Sequence, residues 1–323
     1  MKKLDVKLIR FVKHSKGQFI SITVMIILAL TIYVSLSMVA DNLYNSIYHY
    51  YDITNFGDIF IEVSRIPKAA IDKLTSIEGI EMAQGRVSKD VPLRVEDSKE
   101  KVNVRIVSLP MEENSINSLY TLEGKVLDGS PRTTVVLQQF YVGRNMQLKD
   151  VITPYIGGRE YPLEIVGVVG SPEYIYLMEN EQTLLPAPDK FGVIYVSEDF
   201  AQMSLGYQGS YNEVMVKVND EYLNRIDSIV DELEDELHRY GVRRVTKRED
   251  QLSHSMMMQE VESLEAMSGA ITFIFLMVSA VIINIMLSRM VKKDRTSIGV
   301  MKAMGDTNQA ILMHYAKYAL SMG

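Results

Sequence analysis

The stretch RTSIGVMKAMGDTNQAI, residues 295–311, decides how this chain is read. Ile298, Val300, Met301 and Met304 fall on the apolar side of a helix, while Arg295 and Lys302 lie off it. Gly305 suits the end of that helix, and Asp306 or Thr307 suits the cap of a following one. The stretch is bounded on both sides by apolar sequence. A short amphipathic helix in that position reads as a loop helix at a membrane surface.

Upstream lies Ala266–Ser288, AMSGAITFIFLMVSAVIINIMLS, without a charged residue. A second such run, GQFISITVMIILALTIYVSLSMVA, fills Gly17–Ala40. At about 1.5 Å per helical residue, each crosses a hydrocarbon core of about 30 Å. The first run is too long for a signal peptide and lacks a small-residue cleavage site, so it reads as a retained helix. The stretch after 310, AILMHYAKYALSMG, is too short to span and reads as the start of a third membrane helix, cut at Gly323.

Charge sets the expected orientation. Lys2, Lys3, Lys7, Arg10, Lys13 and Lys16 precede the first run; Arg289, Lys292, Lys293, Arg295 and Lys302 follow the second. The positive-inside rule places both flanks in the cytoplasm. The plan is then a basic cytoplasmic segment (1–16), a first membrane helix (17–40), an extracytoplasmic domain (41–265), a second membrane helix (266–288), a cytoplasmic loop with its short helix (289–309) and the truncated third helix (310–323). The net charge of −7 resides between the two runs, since both flanks are basic. An acidic exterior domain reads as a soluble surface and argues against nucleic acid as a partner. No cysteine is present, so disulfides, thiolate metal sites and a cysteine nucleophile are excluded.

The region between the runs repeats one local order. GDIFIEVS alternates as a strand. IPKAAIDKLTSIEG reads as a helix with Pro67 in its first turn, a stripe of Ala70, Ile71, Leu74 and Ile77, and a stop at Gly79. IEMAQGRVSKDVPLRVED returns as one strand. Near the other end NEVMVKVN is a strand, and DEYLNRIDSIVDELEDELHRYG a helix with Leu223, Ile226, Val230, Leu233, Leu237 and Tyr240 inward. VRRVTKRED is the returning strand. Two strand–helix–strand units, about 57–97 and 212–250, predict a split-βαβ sheet with its helices on one face. A β-rich insert of limited helix content is expected between them, about 98–205, with TTVVLQQFYV read as one of its strands. Stalk helices are expected at both ends: Tyr44, Tyr48 and Tyr51 share a helix face on the first, and residues 252–265 run without proline into the second membrane helix. The fold class is therefore an α+β membrane protein.

Little here suggests chemistry. There is no G-x-x-x-x-G-K-[ST] phosphate cradle. Gly167–Gly170, GVVG, reads as a strand end. His14, His49, His238, His254 and His314 are scattered with no partner at metal-ligand spacing, and Ser253–His254 has no third member. Asp231–Glu236, DELEDE, reads as a solvated helix face interrupted by Leu233. The two complete spans hold no ionisable residue of the kind that a proton- or ion-coupled carrier places at mid-membrane. No catalytic residue, cofactor site or metal site is expected, and the chain is expected not to be an enzyme.

The segment Ser297–Gly305, SIGVMKAMG, preceded by Arg295, resembles the cytoplasmic coupling helix of ABC transporter permeases of the MacB/FtsX/LolE-like type. Their pattern is a basic residue, then E-I-G, two apolar residues, a basic residue, Ala, an apolar residue and Gly. Ser297 stands where an acidic residue is common. LEIVGVVGSPEYIYL, Leu163–Leu177, resembles the exterior domain of such permeases, and the order of spans, insert and stalk is similar throughout. The resemblance implies a separate ABC ATPase subunit as partner, contacting Ile298, Gly299, Met301, Lys302, Ala303 and Gly305. It also implies a second permease copy or half, in a bacterial cell membrane. The implied function is to couple ATP hydrolysis by that subunit to motion of the exterior domain, for export of a peptide, lipid-linked or drug-like substrate. The alternatives are a non-transporting mechanical regulator of an envelope enzyme or sensor kinase, and an anchored exterior receptor with no ATPase.

Overall fold

The computed structural model describes residues 16–94, 101–110, 114–127, 129–180, 182, 185–305 and 307–320. The basic segment before Lys16, apart from Lys16 itself, and Asp306 lie outside the described residues. The chain folds as two compact units: Asn45–Gln259, and Met1–Tyr44 with Glu260–Gly323.

The large unit holds two sheets. The smaller is antiparallel with strand order β12-β1-β11-β2: β1 is Ile59–Pro67, β2 is Ile80–Arg86, β11 is Ser210–Val218 and β12 is Val242–Lys247. β1 and β2 are joined through one helical connection, β11 and β12 through another. A strand of one unit separates the two strands of the other. Ile59, Ile61, Val63, Val214, Val216 and Val218 share a core cluster with residues of both connections. That alternation along β1 and β11 puts one face of each strand into the core.

The connections differ from the sequence reading. The first is not one helix. A single turn, α2 (Lys68–Ile71), is followed by a 3₁₀ turn at Leu74–Ser76. Pro67 closes β1 and takes the N-cap position with extended backbone. The stripe nevertheless buries Ala70, Ile71 and Leu74, with Ile77 packed beside them. In the second connection a 3₁₀ segment, Asp220–Arg225, precedes the helix Ile226–Leu237 (labelled α5 below). Its buried residues are Ile229, Leu233 and Leu237. Leu223 is exposed, and Ile226, Val230 and Tyr240 only flank the cluster. The 3₁₀ start rotates the face, because three residues per turn cannot keep a 3.6-residue stripe in register.

The run expected as one strand across residues 80–97 divides at Val87. β2 stays in the small sheet, and β3 (Ser88–Arg94) opens the larger one. That sheet has the order β5-β9-β6-β10-β4-β3-β7-β8, with β4 at Val102–Leu109, β5 at Tyr120–Gly124, β6 at Thr133–Leu137, β7 at Val151–Ile156, β8 at Arg159–Glu160, β9 at Leu163–Gly170 and β10 at Phe191–Ser197. β7 also pairs with β9, so β9, β6, β10, β4, β3 and β7 close into a ring. Parallel pairs β4–β10 and β6–β9 lie inside it. β10 is buried on both faces, which explains its unbroken apolar sequence FGVIYVS. TTVVLQQFYV is strand only to Leu137. Gln138–Gly143 forms a short helix, α3, that buries Phe140. Helix α4, Glu198–Leu205, is capped by the Ser197 hydroxyl, which accepts from the Phe200 amide.

Three further helices complete the chain besides the first, α1 (Lys16–Ile53): α6 is Leu252–Lys293, α7 is Arg295–Ala303 and α8 is Asn308–Leu320. α1 and α6 are long and apolar enough to cross a membrane, and only 11% of each most apolar window is buried. Within the helical unit Ile22, Met286 and Met290 form a cluster flanked by Tyr315. Ser37 and Ser268 bring their hydroxyls within 3.5 Å, a polar contact between α1 and α6.

Candidate functional site

The helix anticipated at 295–305 is present. α6 ends at Lys293, Asp294 breaks the helix for one residue, and α7 follows at once. The Ile298 amide still bonds the Asp294 carbonyl at 2.9 Å, so the turn is tight. α8 runs back against α6. The Tyr315 hydroxyl donates to Asp294 Oδ2 at 3.3 Å, and Tyr315 packs on the Ile22–Met286–Met290 cluster. Gly305 has φ +95, a left-handed conformation that glycine adopts at least cost, and it reverses the chain between α7 and α8.

The six residues singled out from sequence are all on this element. Ile298 and Met301 are half-buried; Gly299, Lys302, Ala303 and Gly305 are exposed. Val300 and Met304 expose large apolar surface, 52% and 73%. A Cβ added at Gly299 would meet nothing within 4 Å. The outer side of α7 is thus an open, shallow surface with apolar side chains beside Lys302. It has no enclosed volume and no convergent acid, base or nucleophile. Such a surface can dock another protein.

A second set of residues escaped the sequence reading: the links between α6 and the two sheets of the large unit. The first turn of α6 is tied to Ser171–Tyr176. Ser253 Oγ accepts from the Tyr176 amide at 2.8 Å, and Gln251 Nε2 donates to the Glu173 carbonyl at 2.9 Å. Gln251 Oε1 also accepts from the His254 amide, capping the helix. His254 Nδ1 lies 3.1 Å from the Tyr51 hydroxyl near the end of α1, and Tyr51 stacks on Phe56.

Glu173 then reaches the small sheet. Its buried carboxylate takes two hydrogen bonds of 2.5 Å from Arg86 on β2. Arg86 gives two more, of 2.8 and 2.9 Å, to Glu213 on the neighbouring strand β11. Burial pushes the Glu213 carboxyl up. The charge and hydrogen bonds of Arg86, with the charge of Arg105, outweigh this and hold it below the ordinary value. The same segment is tied to the ring: Gln139 Nε2 donates to the Tyr174 carbonyl, and Arg105 Nη2 to the Glu179 carbonyl. Ser171–Glu179 therefore joins α6, the small sheet and the ring. Sequence offered one clue, a charged residue in each of two strands at otherwise apolar spacing, but nothing in it pairs residues 86, 173 and 213.

Arg248, beside the same junction, is held by Asp58 Oδ1 at 2.5 Å and by the Phe56 carbonyl at 2.8 Å. Among the described residues no three His, Asp or Glu side chains converge as a metal site. His14 and the side chain of His314 lie outside the described residues.

Residues 269–323 match the family described as FtsX-like permease C-terminal, a span that includes α7. No curated protein sequence matches the chain. Among solved structures, the extracellular domain of the noncanonic ABC-type transporter YknZ from Gram-positive bacteria aligns with a TM-score of 0.38 at 15% identity, covering 58% of this chain and 99% of that one. The periplasmic region of MacB from Actinobacillus actinomycetemcomitans aligns with a TM-score of 0.40 at 13% identity, covering 67% and 98%. A domain of a putative permease protein from Porphyromonas gingivalis gives 0.30 at 12% identity, covering 58% and 86%. The resemblance read from Arg295 and Ser297–Gly305 is borne out by a family match on those same residues.

Proposed function

We propose that this chain is the permease component of an ABC-type transporter and that α7 is where a separate ATPase subunit docks. The carrying observation is the exposed outer side of α7, with Gly299 open and Val300 and Met304 apolar, inside the segment that matches the FtsX-like permeases. On this reading α1 and α6 span a cell membrane, both basic flanks face the cytoplasm, and residues 41–265 lie outside it.

Nucleotide-driven motion of the ATPase would displace α7. α6 runs from Lys293 to Leu252 as one helix, so it can transmit axial displacement with little loss. Its first turn is bonded to Ser171–Tyr176, which the Arg86 guanidinium ties to the small sheet. A second permease copy or half completes the assembly. Export of a peptide, lipid-linked or drug-like substrate is the leading use; mechanical control of an envelope enzyme or sensor kinase needs the same parts.

The test is Gly299→Asp. The position is exposed and helical with free space around it, so the substitution leaves the fold intact at a cost of under about 1 kcal/mol. Loss of stimulated ATP hydrolysis in the assembled complex, at unchanged thermal stability, supports docking on α7. Unchanged hydrolysis contradicts it.

A further inference from the structure

We propose that strand β5 pairs edge to edge with β5 of a second copy of this chain, antiparallel and centred on Gly124. The inference gives a place to the second copy in the reading above, and it does not need α7 to bind an ATPase.

β5 ends the larger sheet and, among the described residues, pairs with β9 alone. Its other edge is open, and every residue from Tyr120 to Val126 is exposed. Tyr120, Leu122 and Val126 expose 51%, 46% and 67% of their surface. An open strand edge carrying apolar side chains is a template for a further strand. The chain stays alongside β9 past the end of the strand, because the Lys125 amide bonds the Val166 carbonyl at 2.9 Å.

The occupant follows from the order of side chains. Leu122-Glu123-Gly124-Lys125-Val126 reads apolar, acidic, glycine, basic, apolar. It is complementary to itself when reversed. With Gly124 opposite Gly124, Glu123 of each copy faces Lys125 of the other, and Leu122 faces Val126. Opposite charges and apolar pairs directly across an antiparallel ladder are the favourable ones. Sliding either way by two residues sets Glu123 on Glu123 or Lys125 on Lys125, so charge selects one register. Neither residue makes an ion pair within the chain among those described.

Gly124 has φ +78, and a Cβ there would lie 2.4 Å from the Val166 carbonyl oxygen. A glycine is therefore required on the β9 side, and its bare Cα lets a second strand approach on the other. The result is a two-fold contact in which the same patch serves both copies.

The chain has no native cysteine, so the register can be read by disulfides. Two differently tagged forms of the whole chain, Glu123→Cys and Lys125→Cys, are co-expressed in one membrane and oxidised mildly. Directly opposed positions meet disulfide geometry and diagonal ones do not, so the mixed disulfide should exceed either same-site disulfide by about tenfold. A second pair, Leu122→Cys with Val126→Cys, should lose its mixed disulfide when Glu123→Lys is added and regain it when Lys125→Glu is added as well. All four positions are exposed, and an unchanged melting curve shows that the fold is intact. Three disulfides in equal yield, or none, overturn the proposal and show that the register shift at Leu122 and the two charges guard a solitary edge. Native mass spectrometry of the chain in detergent separates the readings. Two copies without the mixed disulfide overturn β5 pairing and leave the second copy standing; one copy overturns both.

Discussion

Arg86 and Glu173 are joined by paired hydrogen bonds of 2.5 Å, between a strand of the small sheet and the segment that receives α6. Both side chains are buried, and Arg86 also carries Glu213. Removing the cation therefore leaves two buried carboxylates facing each other, whereas removing Glu173 leaves Arg86 still paired. Arg86→Met should destabilise the chain by about 3–5 kcal/mol, and Glu173→Gln by clearly less. Chemical denaturation of both variants checks the order; equal losses would show that the three groups do not act as one charge cluster.

Acid should loosen the same cluster. The Glu213 carboxyl is held below its ordinary value of 4.5, so its charged form is favoured by folding. A carboxylate of this kind contributes stability above the unfolded value, and the contribution disappears as pH falls through the lower, folded one. Stability should thus fall as pH is taken from about 4.5 downward, and Glu213→Gln should lie lower at neutral pH with a flatter acid limb. Parallel acid limbs in the two proteins would remove Glu213 from the account.

Orientation can be read with single cysteines at well-exposed positions. Met203 is 72% exposed in the large unit and Met304 73% exposed at the end of α7. In intact cells a membrane-impermeant thiol reagent should label Met203→Cys and spare Met304→Cys until the membrane is opened. The reverse pattern would invert the proposed topology.

The legible parts of this fold were those governed by local sequence. The two apolar helices, the strand periodicity of β1 and β11, and the short helix ending at Gly305 follow from spacing within a few turns. The breaks were not legible. The division at Val87 sends β2 and β3 to different sheets, and only long-range pairing with β11 and β4 decides that. Gln138 begins a helix because Phe140 must turn into the core, where a continued strand would carry it away. The closing pair β7–β9, and the meeting of Arg86 with Glu173 and Glu213, join residues far apart in sequence. On α7 the residue types were legible, but the large exposed surfaces belong to Val300 and Met304, which lie outside the six residues chosen from the family pattern.

The central claim is that an ATPase subunit sits on α7. Its most direct measurement is site-specific photocrosslinking in membranes that contain the chain and its ABC ATPase, with the photoreactive residue at Val300, at Met304 or, as control, at Met203. The account predicts adducts with the ATPase from Val300 and Met304 and none from Met203. Absence of adducts from both α7 positions, or an adduct of equal yield from Met203, would contradict it.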